Sequence, residues 1–425
     1  MSMPQTIEKS QAINAVPVGE GMRLHFLHST KFKTAIFCVL LRRSLTREDA
    51  TLNALLPGVL RRGTSKHDTI GKINAVMEDL YGGVFDCQTI KKGEQQLIQF
   101  YFEGLTFHDN FYRGLEFVKE AMLSPLTING AFKDSYCAGA VNSLKDDISS
   151  LINNKAEYAK ERLFECMCKN EPFGISADGY IEDLAFAKAP ELYKHYMKIL
   201  DASPIEFVCL GNLDSDELQD KVKSLFDRPF GRKAISVPPS AQIRYSPKPI
   251  DIYRENLNSS QGKICIGLRA EVQSVGPDFP AMLLLNEILG SGPNSKLFTR
   301  LREKESLCYY VNSVFYRFKS IILIQSGVAP ENFGRMLDLA IQEIDDIKCG
   351  KISEAEWGNA RKSLINRLRG GQDYPSAAID FYTVQHLLGD TDTANDVIEK
   401  IEKVALEDIS RLAGTLYADA AFELS

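Results

Sequence analysis

The sequence predicts an α+β protein built from two duplicated domains, each a mostly antiparallel sheet with helices packed on one face. Three observations lead there. A proline-rich stretch divides the 425 residues into near-equal halves. Both halves run through the same order of apolar patterns. Within each half the pattern switches between strand-like runs and helical spacing.

The first half opens with RLHFLH and TAIFCVLLRRS, two strand-like runs. A helix follows at 48–61, where Leu52, Leu55, Leu56, Val59 and Leu60 fall at i, i+3, i+4, i+7 and i+8. Thr46, with Asp49 three residues on, has the form of a capping box at its start. Pro57 and Gly58, the two poorest helix residues, lie inside this pattern. A second helix reads HDTIGKINAVMEDLYGG, and VFDCQTI and QLIQFYFEG read as strands. Residues 229–249 then carry Pro229, Pro238, Pro239, Pro247 and Pro249, which suit neither a long helix nor a central strand. They are predicted to form a stiff linker between an N-terminal domain, 1–228, and a C-terminal domain, 250–425. The second half repeats the order. Strands IDIYREN and KICIGLRAE precede helices FPAMLLLNEILG and NSKLFTRLREKES, then strands YYVNSVFYRF and IILIQSGVA. Both halves continue in amphipathic segments such as RMLDLAIQEIDDI.

Composition narrows the function. A net charge of −6 argues against nucleic acid or an anionic membrane as the main partner. No apolar run approaches the roughly 18 residues of a membrane helix. The start, MSMPQTIEKSQAIN, lacks the apolar core of a signal peptide, so the chain reads as cytoplasmic. The nine cysteines show no C-x-x-C, and several lie within apolar runs such as AIFCVLL, IEFVCLG and KICIGL. That pattern fits reduced core thiols rather than disulfides or a zinc ribbon.

Histidines 25, 28, 67, 108, 195 and 386 are the neutral-pH proton shuttles. His25 and His28 form an H-x-x-H, but residues three apart on a strand face opposite ways and do not share an ion. H-E-x-x-H, its inverse, G-x-S-x-G and the P-loop are absent, and no base–nucleophile pair can be assembled around a cysteine. The richest polar segment is NSKLFTRLREKESLCYYVNS, residues 294–313. Arg302 near a helix end and Tyr309 near a strand start could reach one cleft, as donors suited to a peptide carbonyl or carboxylate. Equally, Arg302 could pair with Glu303 or Glu305 while Tyr309 merely packs.

These stretches resemble the insulinase-like (pitrilysin, M16) zinc metallopeptidases and their mitochondrial processing-peptidase relatives. The family's N-terminal helix reads approximately HFLEHMLFKGT, with two histidines on zinc and a glutamate as general base. LNALLPGVLRRGT matches its tail through Leu60, Arg62, Gly63 and Thr64, and places Ala54, Pro57 and Gly58 where the ligands and base would stand. None of these three side chains offers a lone pair. By this resemblance the helix is a zinc helix stripped of its cage, kinked where Pro57 gives up its bond to Asn53. The third ligand would fall in SLKDDISSL, near Asp146 or Asp147. The second half is closer: LGSGPNSKLFTRLREKESLCYYVNS resembles a Gly-rich turn followed by RLFxxLREKxGLAYSV. There the arginine and tyrosine bind the substrate backbone, which assigns that role to Arg302 and Tyr309. Ser306 replaces the usual glycine and Cys308 the usual alanine. CKNEPFGISADGYIEDLAFAKAPELYKHYMKIL also resembles the family's PxGxxxxGxxEdl…Y region, so the likeness spans essentially the whole chain.

The resemblance implies the LuxS/MPP-like metallohydrolase fold and an inactive-site subunit, similar to the subfamily associated with aminopentanol modification of elongation factor P. Such a chain would hold no zinc of its own. Its implied partners are a catalytic M16 subunit with intact HxxEH and a peptide or unfolded polypeptide, with homodimers possible in isolation. The competing expectation is a peptide-binding or scaffold protein of the same fold without a peptidase role, like the processing-peptidase-like core subunits of respiratory complexes.

Overall fold

The continuous apolar run within Thr34–Ser44 predicts a strand buried on both faces, and this strand lies inside a six-stranded sheet. The computed structural model describes residues 15–227, 232–257 and 261–425. The polar N-terminal stretch and Pro229 of the expected linker lie outside the described residues. Backbone packing divides the chain into two units. Unit 1 comprises Met1–Ile148, Ala177–Pro238 and Tyr374–Leu387, and unit 2 comprises Ser149–Ser176, Pro239–Asp373 and Leu388–Ser425.

Unit 1 begins with β1 (Ala15–Gly19), β2 (Met22–His28), β3 (Thr34–Ser44), α1 (Ala50–Leu60), α2 (Ile70–Asp79), β4 (Val84–Lys92) and β5 (Gln95–Leu105). Then come α3 (Asn110–Leu123), a short hairpin of β6 (Thr127–Ile128) and β7 (Ala131–Phe132), and α4 (Asp134–Ser150). Next in the chain, α5 (Lys155–Met167) belongs to unit 2, whereas α6 (Ala189–Ala202), β8 (Ile205–Gly211) and α7 (Ser215–Phe226) belong to unit 1. Unit 2 continues with β9 (Asp251–Glu255), β10 (Gly262–Arg269), α8 (Asp278–Asn286), β11 (Cys308–Tyr316), β12 (Ile321–Val328), α9 (Phe333–Lys348) and α10 (Glu354–Gly371). After α11 (Pro375–Leu388), nearly all of which counts with unit 1, α12 (Ala394–Glu402), α13 (Leu406–Ala413) and β13 (Tyr417–Leu424) complete unit 2.

The duplication expected from the sequence is present in the topology. The sheet of unit 1 runs β1-β2-β8-β3-β5-β4 and that of unit 2 runs β11-β12-β10-β13-β9. Read from opposite ends, β4, β5, β3, β8 and β2 correspond to β11, β12, β10, β13 and β9. Each sheet has one parallel pair, β2 with β8 and β13 with β9, among antiparallel neighbours. The α+β class is as the sequence predicts. Each unit adds one helix on the opposite face of its sheet, supplied by the other half of the sequence.

In unit 1, Phe37, Val39 and Leu41 of β3 point into the core with α1, α3, α6 and α7. Each such buried side chain contributes about 1.5–3 kcal/mol. Ile36, Cys38 and Leu40 point the other way and meet Ala378, Ile379 and Tyr382 of α11. In unit 2, α5 plays the same part. Its Ala159, Leu163 and Phe164 cover Cys265, Leu323 and Phe422. Residues 232–250 carry no helix or strand, in keeping with their prolines. Their start is tied to unit 1 by buried Arg232, which donates to the carbonyls of Leu200 at 2.7 Å and Glu20 at 3.2 Å. Among the described residues no helix is long and apolar enough to cross a membrane.

Candidate functional site

α1 has the register its sequence predicts, with Leu55, Leu56, Val59 and Leu60 buried. Half of the expected capping box forms: the Thr46 hydroxyl accepts from the Asp49 N–H at 3.3 Å. The Asp49 carboxylate instead takes Arg43 at 2.9 Å. Pro57 has no N–H for the carbonyl of Asn53, and the hydroxyl of Thr89 on β4 donates there at 3.0 Å. With that carbonyl satisfied, Ala50–Leu60 continues as one helix through the proline.

The ligand positions are closed as well as vacated. Ala54 packs against the core, and a Cβ added at Gly58 would lie 2.8 Å from the Cβ of Ala140 on α4. No imidazole fits between helices this close. Asp146 and Asp147, the expected neighbours of a third ligand, are exposed on α4, and Ala140 is the residue that faces Gly58. Beneath α1 the polar side chains bind one another. His195 Nε2 lies 2.8 Å from Asn53 Oδ1, Asn53 Nδ2 donates to Gln96 Oε1 at 2.8 Å, and Gln96 Nε2 donates to the Ala177 carbonyl at 2.7 Å. Burial pushes the His195 pKa down, only partly opposed by Asp49. The His195 Nε2–H serves as a donor to the Asn53 amide oxygen.

Arg302 and Tyr309 are brought together in unit 2. Arg302 lies in a widened helical turn, Phe298–Lys304, in which the Glu305 N–H reaches back to the Arg300 carbonyl at 3.0 Å. Such i→i+5 turns recur at functional sites. Tyr309 is the extra residue of a β-bulge: Cys308 pairs with Val328 and Tyr310 with Gly327. A bulge re-aims a side chain, and Tyr309 is 77 % exposed. The Arg302 guanidinium lies 5.7 Å from the Tyr309 ring and 4.9 Å from that of Phe298. The alternative pairing is not made: among the described residues Arg302 has no ion pair with Glu303 or Glu305, and Glu305 is held by Arg300 and Arg335. Ser306, where the family has glycine, adopts φ +52°. The left-handed backbone that glycine favours is thus preserved by a residue for which it costs about 1–2 kcal/mol. β11 is an edge strand, and its Tyr310 and Asn312 line a groove of about 660 Å³ with Lys263 and Gln325.

The remaining histidines separate as strand alternation predicts: His25 is buried and His28 exposed. What the sequence spacing does not reveal is the company of His25. It meets Glu206 of β8 and His386 of α11, and among the described residues these form the one group of metal-competent side chains whose ligand atoms lie within 4.8 Å of one another. The cysteines are free and mostly buried, and burial pushes the thiols of Cys38 and Cys265 up to about 12.

The sequence pattern described as the Peptidase M16 inactive domain matches residues 187–364. Over 413 residues the chain is 28% identical to "Probable inactive metalloprotease YmfF" of Bacillus subtilis (strain 168), covering 95% of this chain and 96% of that protein. By these matches the chain is similar to inactive members of the M16 peptidase family. The chain is also 22% identical over 274 residues to "Uncharacterized zinc protease Mb2805c" of Mycobacterium bovis, covering 63% of this chain and 62% of that one. A crystal structure of a conserved protein from Enterococcus faecalis V583 superposes with a TM-score of 0.90 at 25% identity, covering 97% and 98% of the two chains. The Bacillus subtilis relative is described as probably inactive, and α1 of this chain presents alanine, proline and glycine at the ligand positions.

Proposed function

We propose that this M16 homologue is the non-catalytic subunit of a heterodimeric zinc peptidase, binding peptide and positioning its carbonyl for a zinc-bearing partner with intact HxxEH. The observation that carries the reading is a contrast within one chain. The ligand helix is closed by Ala140, while Arg302 on its helical turn and Tyr309 on the bulged edge strand stand exposed and adjacent. An extended peptide would add to the β11 edge, with main-chain hydrogen bonds giving sequence-tolerant affinity. Arg302 and the Tyr309 hydroxyl would then hold the scissile carbonyl while the partner's zinc-bound water attacks. Donors placed this way contribute about 3–4 kcal/mol in known acyl-transfer sites. Free, buried thiols suit a reducing compartment such as the cytoplasm.

The test is reconstitution with the co-purifying partner. Arg302→Ala and Tyr309→Ala are each expected to lower kcat/KM by about tenfold or more with assembly intact. The chain alone is expected to cleave nothing. Unchanged turnover with lost assembly would favour the scaffold reading, and peptidase activity of the isolated chain would end the proposal.

A further inference from the structure

We infer that His25, Glu206 and His386 form a binding site for a divalent transition metal of the zinc class, which pins α11 to the sheet of unit 1. His25 on β2 and Glu206 on the adjacent β8 share the face of the sheet that α11 covers, and α11 brings His386 to them. Glu206 Oε2 lies 3.0 Å from His25 Nε2 and 3.2 Å from His386 Nε2. Tetrahedral zinc, with bonds of about 2.0–2.1 Å, spaces its donors by about 3.3 Å. Both carboxylate–imidazole distances are near that spacing, and the three ligand atoms lie within 4.8 Å of one another.

Hydrogen-bond accounting points the same way. His386 Nε2 is close to the carboxylate but makes no aligned hydrogen bond with it. His386 thus holds the nitrogen that faces the cluster short of a partner in a largely dry setting, where unsatisfied polar atoms are costly. Two imidazoles and one carboxylate suit zinc, cobalt, nickel or copper better than magnesium or calcium, which prefer all-oxygen sites. Arg42 donates to the other carboxylate oxygen at 3.0 Å and fixes the orientation of Glu206, as outer partners of metal ligands do.

The duplicated unit supplies a comparison. On β13, Asp419 occupies the place of Glu206, two residues beyond the strand partner of Arg269, as Glu206 lies two beyond the residue bonded to Arg42. Asp419 is held by Arg269 at 2.5 Å and Lys248 at 3.1 Å. Those permanent cations have no lone pair for a metal. Unit 1 surrounds the equivalent acid with two bases that do. The site lies on the face of the sheet opposite α1, so its role is to hold structure and not to attack peptide.

The experiment uses the full chain, stripped with chelator and titrated with Co(II), then Zn(II). One Co(II) per chain is expected, with the intense visible absorption of a tetrahedral site, displaced by zinc, and zinc is expected to raise the Tm. His386→Gln, which keeps a polar side chain at the rim, should weaken binding by at least about tenfold and abolish the Tm shift. Spin-echo measurements on the Cu(II)-loaded unmodified chain should count two imidazole nitrogens, which needs no variant. Absence of stoichiometric binding, a spectrum without imidazole, or undiminished affinity in folded His386→Gln would each overturn the site. Because Arg302 and Tyr309 play no part in these readouts, failure here leaves the peptidase-subunit proposal standing.

Discussion

The hydroxyl of Thr89 donates to the carbonyl of Asn53, and that carbonyl is the one Pro57 leaves without its helical N–H. The pairing lets a proline sit inside a core helix. Thr89→Val, which keeps the shape and removes the donor, is expected to cost about 1–3 kcal/mol. In a Pro57→Ala background the helix supplies its own N–H, and the same substitution should cost much less. Denaturant unfolding of the four proteins measures this coupling. Equal costs in both backgrounds would remove the compensation argument.

Gly58 and Ala140 make a second, sign-reversed prediction. In an ordinary helix interior Gly→Ala gains about 1 kcal/mol. Here the added methyl meets Ala140 at 2.8 Å, so Gly58→Ala is expected to lower stability by about 1–3 kcal/mol. Adding Ala140→Gly should return much of the loss. A rise in Tm for Gly58→Ala alone would contradict the close approach. For the same reason the triple variant A54H/P57E/G58H is expected to carry no more zinc than the unmodified chain.

Much of this was legible in the sequence, and the reasons are local. Periods of two and of 3.6 residues announce strands and helices, so the two matching halves and their element order could be read directly. Arg302 and Tyr309 are seven apart across one turn, close enough for spacing to suggest a shared place. An apolar stripe, however, says that a helix has a buried face without saying which sheet receives it. The stripe of α11 is met by Ile36, Leu40 and Val208 of unit 1, and α5 is met by the sheet of unit 2. That exchange is what brings His386 to His25 and Glu206, so no reading of neighbouring residues could find the group. The Thr89–Asn53 bond joins a strand to a helix 36 residues away and is hidden for the same reason.

His195 sets a pH dependence. Burial holds its folded pKa below the usual value of about 6.5, so between those two values the unfolded chain binds more protons. The stabilisation from the neutral ring is full above about pH 6.5 and is lost as pH falls toward the folded pKa. Tm is therefore expected to drop from about pH 7 to about pH 5. His195→Gln, which can still donate to Asn53 Oδ1, should show a shallower drop. Identical slopes for the two proteins would count against it.

Ser306 joins the turn of Arg302 to the strand of Tyr309, and its φ of +52° sets how the two elements meet. A left-handed conformation costs a non-glycine residue about 1–2 kcal/mol. Glycine removes that strain but gives back part of the gain, because it enlarges the conformational freedom of the unfolded chain by about 0.4–1 kcal/mol. Ser306→Gly is therefore expected to stabilise by up to about 1 kcal/mol while leaving turnover in the reconstituted pair unchanged. Ser306→Val is expected to do the reverse, since a β-branched residue resists positive φ most strongly. If the valine variant lowers turnover as well as Tm, the backbone at this position also aims Arg302 and Tyr309. Equal Tm values for serine, glycine and valine would mean that the left-handed turn is not held in solution.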